Sequence, residues 1–207
     1  IGIFLRKKIS VLNPLLVSII FVIAVIKIFH IDYETYNSGA KYISYLLTPA
    51  TVCLAIPLYR QISVLKEHAK EVFIGILAGV LASMGSILLM SYFFGLTHEQ
   101  YVTLLPKSIT TAIGMGVSEE LGGIQTITVA VIIITGVLGN IIAEAVLKIF
   151  RIKEPVAKGL AIGTASHAIG TTKALEIGEI EGAMSSLSVA VAGLMTVISA
   201  SIFANMM

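Results

Sequence analysis

Ala112-Ile113-Gly114-Met115-Gly116-Val117-Ser118-Glu119-Glu120-Leu121-Gly122-Gly123 and, fifty-six residues on, Ala168-Ile169-Gly170-Thr171-Thr172-Lys173-Ala174-Leu175-Glu176-Ile177-Gly178 are two versions of one pattern. At that offset Glu120 meets Glu176, Leu121 meets Ile177 and Gly122 meets Gly178. Each belongs to a part-apolar segment rich in glycine and polar residues, Tyr101–Gly123 and Gly159–Gly178. Each precedes a long apolar run, Thr126–Phe150 and Gly182–Met206. The repeat unit is therefore an odd segment followed by an apolar helix.

The composition places this repeat in a membrane. Apolar residues make up 57 % of the 207 residues and charged residues 13 %, against roughly 25 % charged in a soluble chain. The mean hydropathy is +0.97. Such a chain cannot cover a globular surface with polar groups, which excludes disorder, a coiled coil and a soluble enzyme. The net charge of +2 is too small to draw a nucleic acid. The lone Cys53 leaves no partner for an internal disulfide or a thiolate cluster.

Crossing the hydrocarbon takes about 20 apolar residues. Asn13–Phe29, Tyr42–Tyr59, Val72–Phe94, Thr126–Phe150 and Ala183–Met206 read as five spans. The start, Ile1–Leu5 before Arg6-Lys7-Lys8, reads as the tail of an earlier helix, so residues preceding it are expected. Arg6, Lys7, Lys8, Arg60, Lys66, Lys70, Lys148, Arg151, Lys153 and Lys158 fall on one side if the spans alternate, against Lys27 and Lys41 on the other. Positive charge marks the cytoplasmic side. Segment 101–123 then starts and ends outside, and segment 159–178 starts and ends inside. The expected architecture is all-α and polytopic, with about five full spans plus two re-entrant or interrupted segments in inverted repeats. An N-terminal helical part, 1–100, would serve as scaffold or dimer contact. The core, 101–207, would hold the inverted units 101–150 and 158–206.

The odd segments carry the chemistry-bearing residues. Ionisable groups at membrane depth are costly and persist where they face a cavity or one another. The candidate binding set in the first segment is Lys107, Ser108, Thr110, Thr111, Ser118 and Glu120. In the second it is Thr164, Ser166, His167, Thr171, Thr172 and Lys173. Gly114, Gly116, Gly122, Gly163 and Gly170 are the expected points of backbone break. Interrupted helices offer free N–H groups and a positive dipole end to a small carboxylate. Glu120 or Glu176 would be a proton or cation partner. The plainer readings stand beside these: the lysines snorkel to an interface, His167 is a packing histidine, and Glu144 near the end of its span makes an interfacial salt bridge. Gly75-x-x-x-Gly79 with Ser83, and Gly159-x-x-x-Gly163, mark edges for close helix contact, the first a candidate contact between copies. No metal-ligand spacing, catalytic elbow or phosphate loop is present. The expectation is no enzyme, no metal and no cofactor beyond a coupling H+ or Na+.

The sequence resembles the LrgB/CidB family of bacterial membrane proteins. The likeness rests on Asn13-Pro14-Leu15-Leu16, on Pro49-Ala50-Thr51 with Ala55-Ile56-Pro57-Leu58-Tyr59, on Leu105-Pro106-Lys107-Ser108, and on Glu181-Gly182-Ala183-Met184-Ser185-Ser186-Leu187. It is strongest through Met115–Gly123 and Gly163–Thr171 and covers essentially the whole chain. It implies a multi-pass protein of the bacterial plasma membrane, working beside a smaller LrgA/CidA-like partner. It implies two activities: an antiholin-like or holin-like role in murein hydrolase export, autolysis and programmed cell death, or transport of a small monocarboxylate such as pyruvate, glycolate or glycerate. The residue chemistry favours a secondary, alternating-access transporter, forming a homo-oligomer, with the holin or antiholin role as the alternative.

Overall fold

A computed structural model describes residues 14–46, 49, 52–53 and 55–207, and every regular element among them is helical. The chain divides into two units, residues 1–53 and 54–207. The opening residues through Asn13, with their basic stretch, and residues 47, 48, 50, 51 and 54 of the expected second span lie outside the described residues.

In the first unit, α1 spans Pro14–Ile28 and α2 spans Tyr33–Ser44. The fifteen described residues of α1 extend about 22 Å. Asp32 caps α2, its carboxylate accepting from the Thr35 amide at 3.0 Å. The Thr35 hydroxyl and amide hold this carboxyl below the usual carboxylate range. Within the stretch Tyr42–Tyr59, α2 ends at Ser44 and a turn follows at 45–46; Pro49, Val52 and Cys53 are helical, and a helix is described from Ala55 to Arg60.

The second unit contains α3 (Ala55–Arg60), α4 (Ile62–Glu67), α5 (Ala69–Phe94), α6 (His98–Leu104), α7 (Thr111–Glu120), α8 (Gln125–Ile149), α9 (Pro155–Ile177) and α10 (Glu179–Ala204). Among the described residues, three helices are long and apolar enough to cross a membrane: α5, α8 and α10. At 25 or 26 residues each reaches about 38 Å. Five spans were expected; the other two, Asn13–Phe29 and Tyr42–Tyr59, include residues outside the described ones. Val72, Ile76, Val80 and Met84 recur every four residues on the inner stripe of α5, packed with Tyr101, Leu105 and Met184. The opposite face of α5 exposes Phe73, Ile74, Leu77 and Leu81. Apolar side chains inside and outside suit a helix with lipid at its back.

Two helical paths are interrupted. Between α6 and α7 the chain turns through Leu105–Thr110. Leu105 is still helical (φ −54°, ψ −45°), but Pro106 has no N–H to continue the hydrogen-bond ladder of α6. Thr110 is extended (φ −64°, ψ 146°) and α7 starts immediately after. In α9 the break is a single residue, His167 (φ 43°, ψ −146°). At the offset of fifty-six, Thr110 corresponds to Ser166 and Thr111 to His167, so the first interruption ends one residue before the position that matches the second. Of the expected break points only Gly122 has a positive φ, 78°, and it ends α7. Gly114 and Gly116 are helical within α7, and Gly163 and Gly170 within the two arms of α9. Proline and one strained residue interrupt the helices; most of these glycines pack instead. A Cβ on Gly163 would stand 2.5 Å from the Ser185 carbonyl, so no side chain fits between α9 and α10 there.

Hydrogen bonds tie the two limbs of each interrupted path together. The Thr128 hydroxyl donates to the Thr103 carbonyl at 2.9 Å and shares a hydrogen bond with Ser118 Oγ at 2.7 Å, where it accepts, and the Ile124 amide donates to Thr103 Oγ1 at 2.8 Å. The end of α7 thus returns to α6, where the path began. Lys158 in the first arm of α9 pairs with Glu181 of α10 at 3.5 Å, just beyond the end of the second arm. At the opposite end of the unit, Tyr101 donates to the Phe203 carbonyl at 2.8 Å and Tyr92 to the Met206 carbonyl at 2.6 Å.

Candidate functional site

A cavity of about 690 Å³ runs between α5 and the first arm of α9. It is lined at one end by His68, Glu71 and Glu154, at the starts of these helices. This is the end that carries the basic residues about α4, α8 and α9. Its walls are made of small residues, Gly75, Gly79 and Ala82 opposite Ala157, Ala161 and Thr164. A Cβ on Gly79 would lie 2.8 Å from the Thr164 side chain, so glycine sets the helix spacing there. The Gly75/Gly79/Ser83 edge, expected as a contact between copies, faces α9 and this cavity within one chain.

Lys107 and Ser108, from the first interruption, reach this cavity together with Thr164 and Ala165, next to the second. Lys107 Nζ lies 3.0 Å from Ser108 Oγ and 3.4 Å from Ser83 Oγ, and those two oxygens are 2.9 Å apart. An ammonium has three donors, and two of them are directed to these hydroxyls. Among the described residues no carboxylate pairs with Lys107. A smaller void continues beyond, between Ser83, Ser108 and Thr164 on one side and Met84, Leu105, Ala192 and Thr196 on the other. The arrangement offers a positive charge and hydroxyls inside an otherwise apolar chamber. That combination suits a small anion with an apolar portion.

The remaining candidates are placed elsewhere. Thr110 precedes the first turn of α7 and Thr111 begins it, both half-buried. Ser118 is buried in the Thr103–Thr128 network, and Glu120 is exposed at the end of α7. Ser166 is buried against Gly139, where even a methyl group would overlap its hydroxyl. His167 is 2 % exposed, with Nε2 3.0 Å from the Ile132 carbonyl. Thr171 donates to the His167 carbonyl at 3.1 Å and shares a hydrogen bond with Ser185 Oγ at 2.8 Å. Thr172 accepts from Asn140 Nδ2 at 2.9 Å. Lys173 is bound by Glu144 at 2.6 Å and Glu176 at 3.1 Å, and Glu144 also faces Lys148 at 4.0 Å.

Lys107, Ser108 and Thr164 therefore come together, whereas His167 and Lys173 are directed to α8. Ser83 and Gly79 complete the chamber. Their four-residue spacing with Gly75 was visible in the sequence, but spacing does not say which neighbour a small-residue edge meets.

The model of the LrgB-like family matches residues 1–206. The chain is 38 % identical over 192 residues to the antiholin-like protein LrgB of Bacillus mycoides (strain KBAB4), covering 93 % of this chain and 84 % of that one. The antiholin-like protein LrgB of Bacillus cereus (strain B4264) is similar to the same extent, 38 % over 93 % of this chain and 84 % of its own. No solved structure matches the chain.

Proposed function

The chain belongs to the LrgB-like family, and from that premise we propose that it is a secondary transporter of a small monocarboxylate, with pyruvate, glycolate and glycerate as the candidate class. The observation that carries the reading is Lys107 at the inner end of a chamber entered from the basic end of the unit. The two interrupted segments are read as re-entrant hairpins of inverted repeats meeting near the bilayer midplane, which is how many transporters form a site. The bonds that return α7 to α6, and the pairing of Lys158 with Glu181, support that topology. By the charge rule the basic end is cytoplasmic, so the chamber opens inward and the far side is closed at Met84, Leu105 and Tyr101. A substrate carboxylate would accept from Lys107 and Ser108, its carbon skeleton resting on Gly79, Ala161 and Thr164. Movement of one repeat against the other would open the opposite side. The setting is the bacterial plasma membrane, with a homo-oligomer, a smaller LrgA/CidA-like partner and a coupling H+ or Na+ as further parts of the proposal.

Uptake of labelled pyruvate and glycolate into proteoliposomes, with and without the small partner, tests this. Accumulation above empty vesicles is the expected result, and equality with them in both settings would refute transport. The relatives' name favours a second reading, an antiholin-like modulator acting through assembly in the membrane. That reading expects control of large-dye release from vesicles, insensitive to Lys107→Ala.

A further inference from the structure

A second cleft, about 520 Å³, lies apart from the Lys107 chamber, between the end of α8 and the returning arm of α9. Its rim carries Lys148, Arg151, Lys153 and Lys158, and its floor includes Leu147, Ile152 and Ile177. The carboxylates at its edge are engaged: Glu144 and Glu176 bind Lys173 at 2.6 and 3.1 Å. Lys158 leans to Glu181 at 3.5 Å. Among the described residues Arg151 and Lys153 have no ion pair, so the rim keeps a positive excess.

The backbone at Arg151 bears on the same point. α8 closes with the Ile152 amide on the Leu147 carbonyl at 2.9 Å and Arg151 left-handed (φ 55°) between them. Glycine is the residue this turn prefers, and glycine occupies it at Gly95 after α5 and Gly122 after α7. His30 takes the same conformation after α1, so the turn tolerates a side chain. At Arg151 that side chain borders a cationic cleft with an apolar floor.

We propose that this cleft holds a phosphate-bearing anion at the membrane surface, an anionic phospholipid whose headgroup phosphate meets Arg151 and Lys153 while its glycerol and upper acyl carbons lie on Leu147, Ile152 and Ile177. A guanidinium engages a phosphate with two parallel hydrogen bonds, and clustered lysines and arginines beside a span are attracted to anionic headgroups. The apolar floor distinguishes a lipid from a free phosphate ion, which would leave it wet.

Binding of fluorescent phosphatidylglycerol to the full chain in neutral detergent tests the site without reference to uptake. The wild-type chain is expected to bind it well above phosphatidylcholine. The double variant R151G/K153Q is expected to lose about tenfold or more in affinity, as charge-assisted hydrogen bonds are removed. Glycine at 151 relaxes the turn, so its melting temperature without lipid is expected to be unchanged or higher. K148Q/K153Q, at two exposed positions, provides the same comparison should the first variant not fold. Equal affinity in wild type and variants, or equal binding of phosphatidylcholine, would overturn the site. Displacement of the lipid by equimolar inorganic phosphate would overturn a lipid as its occupant and assign the cleft to a soluble ion.

Discussion

The two interrupted segments share a backbone scheme and differ in what they do with charge. At the first, the break is six residues long and releases Lys107 into a chamber, with hydroxyls as its partners. At the second, the break is one residue, and the cation that follows is held by two carboxylates. His167 turns to the Ile132 carbonyl, and a Cβ on Gly136 would lie 2.7 Å from its ring. The two segments therefore differ in chemistry: the lysine of the first meets hydroxyls at a cavity, and the lysine of the second is paired with carboxylates. Pseudo-symmetry in sequence does not carry equivalence in chemistry.

If that difference holds, Lys107→Ala gives the largest effect. Removing the chamber's charged donor is expected to lower uptake by about 100-fold, equivalent to a charge-assisted hydrogen bond at the upper end of its range. The folded fraction should stay unchanged, as checked by size-exclusion elution. A fall of less than threefold would erase the contrast between the breaks.

His167 should act on stability first. Its backbone lies where side chains are strained by about 1–3 kcal/mol, while its imidazole fills the space beside Gly136. His167→Ala keeps the strain and loses the packing, and is expected to destabilise by about 2 kcal/mol. His167→Gly relieves the strain and should recover about 1 kcal/mol of that loss. Thermal unfolding of the two variants side by side gives the order, and glycine below alanine would overturn the strain argument.

Lys173→Gln should matter less. It leaves two half-exposed carboxylates facing each other, and screening keeps the expected loss near about 1 kcal/mol. Uptake should remain within about threefold of wild type, since this cation is not offered to the chamber. A loss as deep as that of Lys107→Ala would make the two breaks equivalent.

The smallest change is expected at Asp32→Ala in the first unit, seen as local fraying of α2 in hydrogen exchange. The carboxyl there titrates below its ordinary value because Thr35 donates to the ionised form. Its stabilising contribution is therefore present at neutral pH and lost as the pH falls through that lowered value. The alanine variant should not show this acid-dependent fraying.

The long spans were legible because an apolar run of span length has few alternatives. Val72–Phe94, Thr126–Phe150 and Ala183–Met206 became α5, α8 and α10 with ends displaced by a few residues. That the segments at 101–123 and 159–178 contain interruptions was legible from their polar and glycine content. The atoms of interruption were not. Glycine was read as the breaker, yet Pro106 and His167 break the helices while Gly163 lets α9 approach α10. Helix propensity describes an isolated segment, whereas contact with a neighbouring backbone decides here. Lys107 and Lys173 looked alike in one dimension. Only the third brought Glu144 to one of them and Ser83 to the other.

The phenol hydrogen bonds at the far end join residues 102 and 114 positions apart, Tyr101 to Phe203 and Tyr92 to Met206. Bonds of such long sequence separation form late, because the loop between their ends must close first. In the growing chain these two bonds are thus absent until α10 has been made. A nascent chain halted before that helix would leave the Tyr92 and Tyr101 hydroxyls without these acceptors, so this end of the second unit is fastened only in its last step of assembly.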